Sequence, residues 1–231
     1  MPTDTLRVAV VTGHHPFDLP AFTQLFRDLP EPVKGISIDP YIQHLDDFVV
    51  DEGRARDSYD AVVFYNFHQE TPGPEAEDPW YQAGLRAALE RLGETDQGIV
   101  VLHHALLAFR EWPFWSELVG IQQRGFGYHN DQHVQVQIAD PDHPITRGLE
   151  NWDIVDETYT VNEPSSNVHV LLTTDHPRSM RTLAWTHTFK QARVFCYESG
   201  HGATAYKNGT FQTVLARGIA WVAHRLETAE I

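Results

Sequence analysis

The chain alternates continuous apolar runs with segments that have the spacing of amphipathic helices. The runs are rich in β-branched residues, which is typical of strands buried on both faces. Buried strands that alternate with helices are typical of a parallel sheet, so the first half predicts a doubly wound α/β fold. The candidate strands are residues 6–12, 59–65 and 98–102, with a short one at 35–39, and the candidate helices are 19–29 after the N-cap Asp18, 80–92 and 105–118.

The second half of the chain has a different pattern. Residues 133–138 alternate strictly between apolar and polar side chains, as a strand with one exposed face does. Further strands are predicted at 152–161, 168–173, 183–188 and 193–197, and a closing helix at 211–226. No linker, repeat or low-complexity segment divides the sequence. We therefore expect one domain over residues 1–231, with antiparallel additions to a mainly parallel sheet.

Polar loops rich in histidine follow each of the three continuous apolar runs. The carboxyl ends of neighbouring parallel strands lie along one edge of a sheet, where ligands bind. We therefore expect the side chains of these loops to lie close together. A fourth histidine, His201, lies between two glycines after residues 193–197, and glycine permits the close approach of a ligand. The loop residues are His14 and His15, Asn66 and His68, and His103 and His104.

The turn after residues 98–102 limits the chemistry that the site can perform. It offers imidazole and neither serine nor cysteine, so acid–base or metal chemistry is expected instead of an acyl-enzyme. We expect His104 and His201 to form an acid/base pair. Glu157 would orient one imidazole or accept hydrogen bonds from sugar hydroxyls, and Asp156 beside it would point to the other face of the strand.

Composition excludes several classes of partner. The 231 residues carry a formal net charge of −15 with no stripe of basic side chains, so neither nucleic acid nor an anionic membrane is expected to bind. No apolar run reaches the ~18 residues of a transmembrane helix. The single cysteine, Cys196, rules out an intramolecular disulfide and fits a reducing, cytoplasmic location. It lies within an apolar strand, where burial would leave the thiol unreactive.

Five short segments occur in a fixed order along most of the chain. They are IVVLHHA at 99–105, WSELVG at 115–120, HPITRGL at 143–149, DETY at 156–159, and AWT at 184–186 followed by RVF at 193–195 and GHG at 200–202. Together they resemble the trehalose-utilisation (ThuA-like) family. The resemblance implies a class I glutamine amidotransferase-like fold, a variant of the flavodoxin-like doubly wound sheet. It does not imply amidotransferase activity, because the only cysteine lies away from the turn that carries the nucleophile in that superfamily.

The resemblance also implies a substrate class. Similar proteins take part in the catabolism of trehalose and related disaccharides, with keto-sugars made by partner oxidoreductases as the expected substrates. A keto group acidifies the neighbouring C–H, so a histidine or glutamate could abstract that proton. Isomerisation or elimination-type cleavage of the glycoside would then proceed without a covalent intermediate. The partner expected from this is a small-molecule carbohydrate.

Several alternatives stay open on the sequence. A noncatalytic sugar-binding or regulatory module would keep the pocket and lack the chemistry, whereas a zinc-dependent hydrolase would use the histidines and carboxylates as ligands. The sequence establishes no cofactor; if zinc binds, His104 and His201 are the expected ligands, although no local zinc motif is present. Self-association into a homo-oligomer also stays open. The expected substrate contacts are His14, His15, Asn66, His68, His103, Trp112, His129, Tyr159 and Trp185.

Overall fold

A nine-stranded sheet runs through the part of the chain that this computed structural model describes, residues 4–50, 58–73 and 84–227. Its strands are β1 (Asp4–Gly13), β2 (Ile36–His44), β3 (Ala61–Asn66), β4 (Gly98–Leu102), β5 (Gly127–Ile138), β6 (Trp152–Thr160), β7 (His169–Thr173), β8 (Thr182–Phe189) and β9 (Ala192–Tyr197). In space they follow the order β2-β1-β3-β4-β9-β8-β7-β5-β6. Every strand predicted from the sequence is present, although β2 and β5 are longer than their patterns indicated.

The sheet is mixed, so the expectation of a mainly parallel, doubly wound sheet is not confirmed. Strands β2, β1, β3, β4 and β9 run parallel to one another. Strands β8, β7, β5 and β6 extend the sheet beyond β9 through four antiparallel pairs, which equals the number of parallel pairs. A parallel pair needs a crossover of a dozen or more residues, usually a helix. The described connections β5–β6, β7–β8 and β8–β9 contain no helix, and each joins two strands that pair antiparallel. Strands β6 and β7 are consecutive in the chain but are not neighbours, because β5 lies between them.

Helices cover both faces of the sheet and bury two apolar clusters against it. They are α1 (Leu19–Asp28), α2 (Leu45–Val50), α3 (Leu85–Glu90), α4 (Pro113–Val119), α5 (Ala203–Tyr206) and α6 (Gly209–Val222). Alternate residues of β1 enter opposite clusters, because Val8 and Val10 pack with α1 and α6 while Ala9 and Val11 pack with α2 and α3. Within the described ranges, no helix is both long enough and apolar enough to cross a membrane.

The helix predicted over 105–118 is divided in the structure. A 3-10 helix spans His103–Leu107, and α4 begins only at Pro113. Proline has no N–H to bond the preceding turn, and Phe109 between the two helices adopts a left-handed φ of +46°. Arg124 is 1% exposed and fixes this connection, because its guanidinium donates to backbone carbonyl oxygens along it.

Two other helix boundaries agree with the sequence. Asp18 caps α1, because its carboxylate accepts the N–H of Ala21 at 3.0 Å. Gly93 lies in the turn after α3 with a φ of +78°, which glycine adopts without strain. The start predicted for that helix, at residue 80, lies outside the described residues.

The carboxyl ends of four parallel strands meet at one edge of the sheet. Gly13 at the end of β1 lies beside Asn66 at the end of β3, and Leu102 at the end of β4 lies beside Tyr197 at the end of β9. The histidine-rich loops that leave these strands are therefore neighbours. Strand β6 reaches the same place from the antiparallel part of the sheet, because the N–H of Tyr159 donates to a carboxylate just after β9.

Candidate functional site

The histidine-rich loops converge, as the sequence predicted. The rings of His14 and His68 stack with their centroids 3.7 Å apart, and those of His15 and His104 stack at 4.2 Å. His201 approaches from the loop after β9, with its ring edge-on to His15 at 5.5 Å. The loops after four parallel strands thus bring their imidazoles to one edge of the sheet, in two groups.

Three side chains at this edge contact one another, and we call them the His103–Glu157–His201 cluster. Nε2 of His103 lies 3.1 Å from Nδ1 of His201. Oε1 of Glu157 lies 3.5 Å from the former atom and 3.2 Å from the latter. The hydroxyl of Tyr159 donates to Nε2 of His103 at 2.8 Å. The cluster therefore joins the end of β4, strand β6 and the loop after β9.

His103 is held rigidly at the first position after β4. Its backbone has a φ of +51°, a left-handed conformation that costs a residue with a side chain roughly 1–3 kcal/mol. Its ring is fully buried, and Nδ1 donates to the carbonyl oxygen of Glu198 at 2.5 Å. Because a carbonyl can only accept, Nδ1 carries the hydrogen and Nε2 keeps its lone pair when the ring is neutral. That lone pair faces Glu157 and His201.

The adjacent carboxylates of β6 have different partners. Asp156 turns to the loop after β9, where it accepts the N–H groups of Gly200 at 2.6 Å and His201 at 3.0 Å. Burial raises the pKa of Asp156, although these backbone hydrogen bonds oppose that effect. Glu157 turns instead to the two imidazoles. One carboxylate therefore shapes the loop that presents His201, and the other contacts its ring.

The charges of the site follow from these contacts. Burial alone would raise the pKa of Glu157, but the contacts with the imidazoles of His103 and His201 outweigh it and hold the pKa below its usual value. The hydrogen bond to Glu157 raises the pKa of His201 despite partial burial. Burial, together with the nearby His201 and His103, lowers the pKa of His15. Two imidazoles at one cavity are thus shifted in opposite directions.

A cavity of about 430 Å³ opens over the cluster. This volume falls within the ~300–1,000 Å³ of small-molecule sites. Glu157 and His201 lie on its floor, with His15 beside them. A second cavity of about 270 Å³ shares Asn130, Glu157 and His201 with the first. Aromatic rings wall the larger cavity: Phe67, Phe126, Tyr128 and Tyr159.

His104 lies outside the cluster, although the sequence favoured it as a catalytic group. Its ring is 1% exposed and lies behind His15, with Nε2 at 3.0 Å from the carbonyl oxygen of Tyr65. Burial, with the nearby His103 and His15, holds the pKa of His104 well below its usual value. The neighbouring residue His103 occupies the position beside His201 that was expected for His104.

The other expected substrate contacts divide into two groups. His14, Asn66 and His68 belong to a separate arrangement, in which the rings of His14 and His68 each lie about 6 Å from His44. His14 and His68 line a further cavity of about 470 Å³. His129 belongs to β5 and is half-buried. Its two neighbours in the chain, Tyr128 and Asn130, line the cavity over the His103–Glu157–His201 cluster, but His129 does not.

Trp112 and Trp185 lie in the hydrophobic core, where a sugar would not reach them. Trp185 is fully buried, and its indole N–H donates to the carbonyl oxygen of Val119 at 2.9 Å. Trp112 is 2% exposed and packs against Phe109 and Phe114. Tryptophan supplies a large apolar surface, and here the core uses it.

Phe67, Asn130 and Glu198 belong to the site but were not singled out from the sequence. Phe67 lies between the two strand-end residues Asn66 and His68, and that position was the available signal. Asn130 reaches the cavity because β5 begins before the alternating segment. Glu198 follows a strand directly, and its backbone carbonyl holds His103 while its carboxylate accepts the N–H of Tyr159.

Comparison with known proteins identifies a family. The sequence model of the ThuA family, described as trehalose utilisation, matches residues 10–222. No curated protein matches the sequence at a significant level.

Solved structures share the fold at low sequence identity. A ThuA-like protein from Parabacteroides merdae superposes with a TM-score of 0.71 at 20% identity, over 95% of this chain and 90% of that one. A cytoplasmic protein from Salmonella typhimurium gives 0.61 at 11% identity, over 94% and 99% of the two chains. A glutamine amidotransferase from Thermotoga maritima gives 0.51 at 10% identity, over 94% and 98%. The chain therefore has a mixed α/β fold of the glutamine amidotransferase-like type.

Proposed function

The chain belongs to the ThuA family of trehalose utilisation, and from that premise we propose that it isomerises a keto-disaccharide by proton transfer in the cavity over the His103–Glu157–His201 cluster. One observation carries the proposal. His15 and His201 meet at a single cavity whose floor carries a carboxylate and whose walls are aromatic. A site that moves a proton needs two groups of opposite protonation within reach of one substrate.

The environments of the two imidazoles assign their roles. A lowered pKa shifts His15 toward the neutral form, so it would act as the base; the hydrogen bond with Glu157 raises the pKa of His201 and shifts it toward the charged form, so it would act as the acid. His15 removes a proton from the carbon beside the carbonyl group, and His201 gives a proton to the carbonyl oxygen. His15 then gives its proton to the other carbon of the enediol, and the hydroxyl on the first carbon returns a proton to His201, so no atom is gained or lost.

The remaining residues bind and position the substrate and the two histidines. Aromatic side chains offer apolar faces to sugar rings, and Phe67, Phe126 and Tyr128 surround the opening. His104 stacks behind His15 and would position it. We further propose that the reaction takes place in the cytoplasm, which agrees with the Salmonella relative being named a cytoplasmic protein.

Exchange of substrate hydrogen with solvent tests the proton transfer directly. The protein is incubated in D₂O with a panel of 3-keto-disaccharides, including 3-keto-trehalose, and loss of the proton beside the carbonyl group is followed by NMR. We expect His15→Phe and His201→Ala each to slow the exchange by about 10²–10⁴-fold, the usual effect of removing a general acid or base. Glu157→Gln removes the partner of His201 and should slow the exchange less. His169→Gln changes an exposed imidazole on β7 and serves as the matched control.

Other outcomes separate the alternatives. Binding of the keto-sugars without exchange in the wild type would contradict the proposal and favour a sugar-binding module. Full exchange in both His15→Phe and His201→Ala would also contradict it. His104→Phe keeps an aromatic ring behind His15 and should retain most of the exchange; if it instead abolished exchange, His104 would be the base and our assignment would be wrong.

A further inference from the structure

We propose that the His103–Glu157–His201 cluster binds one divalent first-row transition-metal ion. Its ligand atoms are Nε2 of His103, Nδ1 of His201 and Oε1 of Glu157. The two imidazoles and the carboxylate are the ligand types of catalytic sites for zinc and related ions. They come from three distant parts of the chain, so no short sequence motif indicates the site.

The spacing of the three atoms fits such an ion. They form a nearly equilateral triangle with edges of 3.1, 3.2 and 3.5 Å. Two ligands that each lie about 2.0–2.2 Å from a tetrahedral zinc ion are about 3.3–3.6 Å apart. The triangle therefore matches one face of a tetrahedron, and an ion could enter with shifts of a few tenths of an ångström.

The surroundings orient the ligands as metal sites require. A ligating histidine usually donates its other ring N–H to a carboxylate or carbonyl oxygen, which fixes the tautomer. His103 does this through the carbonyl of Glu198. Asp156 accepts the backbone N–H of His201 and so fixes the loop that carries the third ligand. Both supports come from residues other than the ligands.

The arrangement also favours a metal ion over a shared proton. When His201 is neutral and carries its hydrogen on Nε2, three atoms with lone pairs face one point, and a proton can bridge only two of them. A metal ion would bond all three, and the hydroxyl of Tyr159, which donates to Nε2 of His103, would then donate to Glu157, which also lies within hydrogen-bonding reach. His103 is fully buried whereas His201 is about one-third exposed. The open side of the triangle therefore faces the cavity, as the free position of a catalytic metal does.

The role of this ion, though not its binding, rests on the proposed function. An ion in the cluster would replace the proton of His201 as the group that polarises the carbonyl oxygen of the keto-sugar. His15 would remain the base. The zinc ligands expected from the sequence were His104 and His201, and the structure substitutes His103 for the first.

Metal titration tests the site without any assay of activity. The protein is treated with a chelator, dialysed, and titrated with Zn²⁺ by calorimetry and with Co²⁺ by visible absorption. We expect one ion per chain, with Co²⁺ bands that indicate mixed nitrogen and oxygen ligands. Removal of a direct ligand should exceed the ~10–100-fold loss that follows removal of a supporting residue. Glu157→Gln and His201→Ala should therefore weaken Zn²⁺ binding by more than about 100-fold while circular dichroism stays unchanged.

A control variant distinguishes loss of the site from a general effect on the protein. His14→Gln lies in the other histidine group, with His44 and His68, and should leave Zn²⁺ affinity unchanged. Zn²⁺ binding that is lost in His14→Gln but retained in His201→Ala would overturn the proposal, and so would the absence of any Zn²⁺ or Co²⁺ binding. Isotope exchange by a protein that binds no metal would support the proposed function and contradict the metal site. Tight Zn²⁺ binding without exchange would support the metal site and contradict the proposed function.

Discussion

His68 makes the stability of the protein sensitive to acid. Its ring is 4% exposed and stacks between His14 and Phe109. Burial, with the nearby His14 and His44, lowers the pKa of His68 from 6.5 to about 3. No described residue offers its Nε2 a hydrogen bond. The folded protein therefore holds this imidazole neutral under conditions in which the unfolded chain would protonate it.

The sign and size of the effect follow from that shift. Because the pKa is lower in the folded state, the unfolded state binds more protons below pH ~6.5, so stability falls as the pH drops and the loss ends near the folded pKa. Each pKa unit corresponds to about 1.4 kcal/mol. Protonation of His68 in the unfolded chain thus lowers the free energy of unfolding by at most about 1.4 kcal/mol at pH 5.5 and about 2.7 kcal/mol at pH 4.5. Other histidines with lowered pKa, such as His143, add to the same trend.

Urea unfolding at pH 7.5 and pH 4.5, in chelator-treated buffers, measures the effect. His68→Phe keeps a stacked ring and removes the titrating group, so its stability should fall less between the two pH values than that of the wild type, by at most about 2.7 kcal/mol. His133→Phe alters an exposed histidine of β5 and should behave as the wild type does. If wild type and His68→Phe lose equal stability on acidification, His68 is protonated in the folded state and the reasoning is refuted.

Three further predictions concern packing and support of the site. Gly218→Ala would place a Cβ atom 2.2 Å from the ring of Phe195, and should lower the free energy of unfolding by about 1–3 kcal/mol; an unchanged melting temperature would contradict this. Burial raises the pKa of the Cys196 thiol, so the native protein should resist thiol reagents, and Cys196→Ala should keep its isotope exchange. Asp156→Asn should weaken Zn²⁺ binding by about 10–100-fold by loosening the loop of His201; unchanged affinity in a folded variant would exclude that support.

The strands could be predicted because each has a strong local signal. A short, continuous apolar run rich in β-branched residues, such as that of β4, is typical of a strand covered on both faces, and the predicted bounds Gly98–Leu102 agree with those of the structure. The parallel order of the first strands then brings their loops together without further information. The proportion of antiparallel pairing was harder to predict, since it depends on which distant strands meet, and β6 pairs with β5 at the far end of the sheet order.

The candidate site could be predicted only in part, because the turn after β4 presents two histidines in succession. His103 and His104 have the same chemistry, and no residue type distinguishes them. Their roles are set by the backbone at His103, whose left-handed φ turns its ring toward Glu157 and sends that of His104 behind His15. Such a conformation is uncommon for a residue with a side chain, so a sequence offers no reason to expect it.

The strained turn persists because several contacts determine the position of one ring. On one side the His103 imidazole donates a hydrogen bond to a backbone carbonyl oxygen, and on the other it accepts one from the Tyr159 hydroxyl. Each of these hydrogen bonds is worth on the order of 1 kcal/mol, so together they offset a backbone cost of roughly 1–3 kcal/mol. Relaxing the turn would withdraw Nε2 from Glu157 and leave the buried carboxylate with one imidazole partner. The left-handed backbone of His103 therefore persists because it keeps both imidazoles in contact with Glu157.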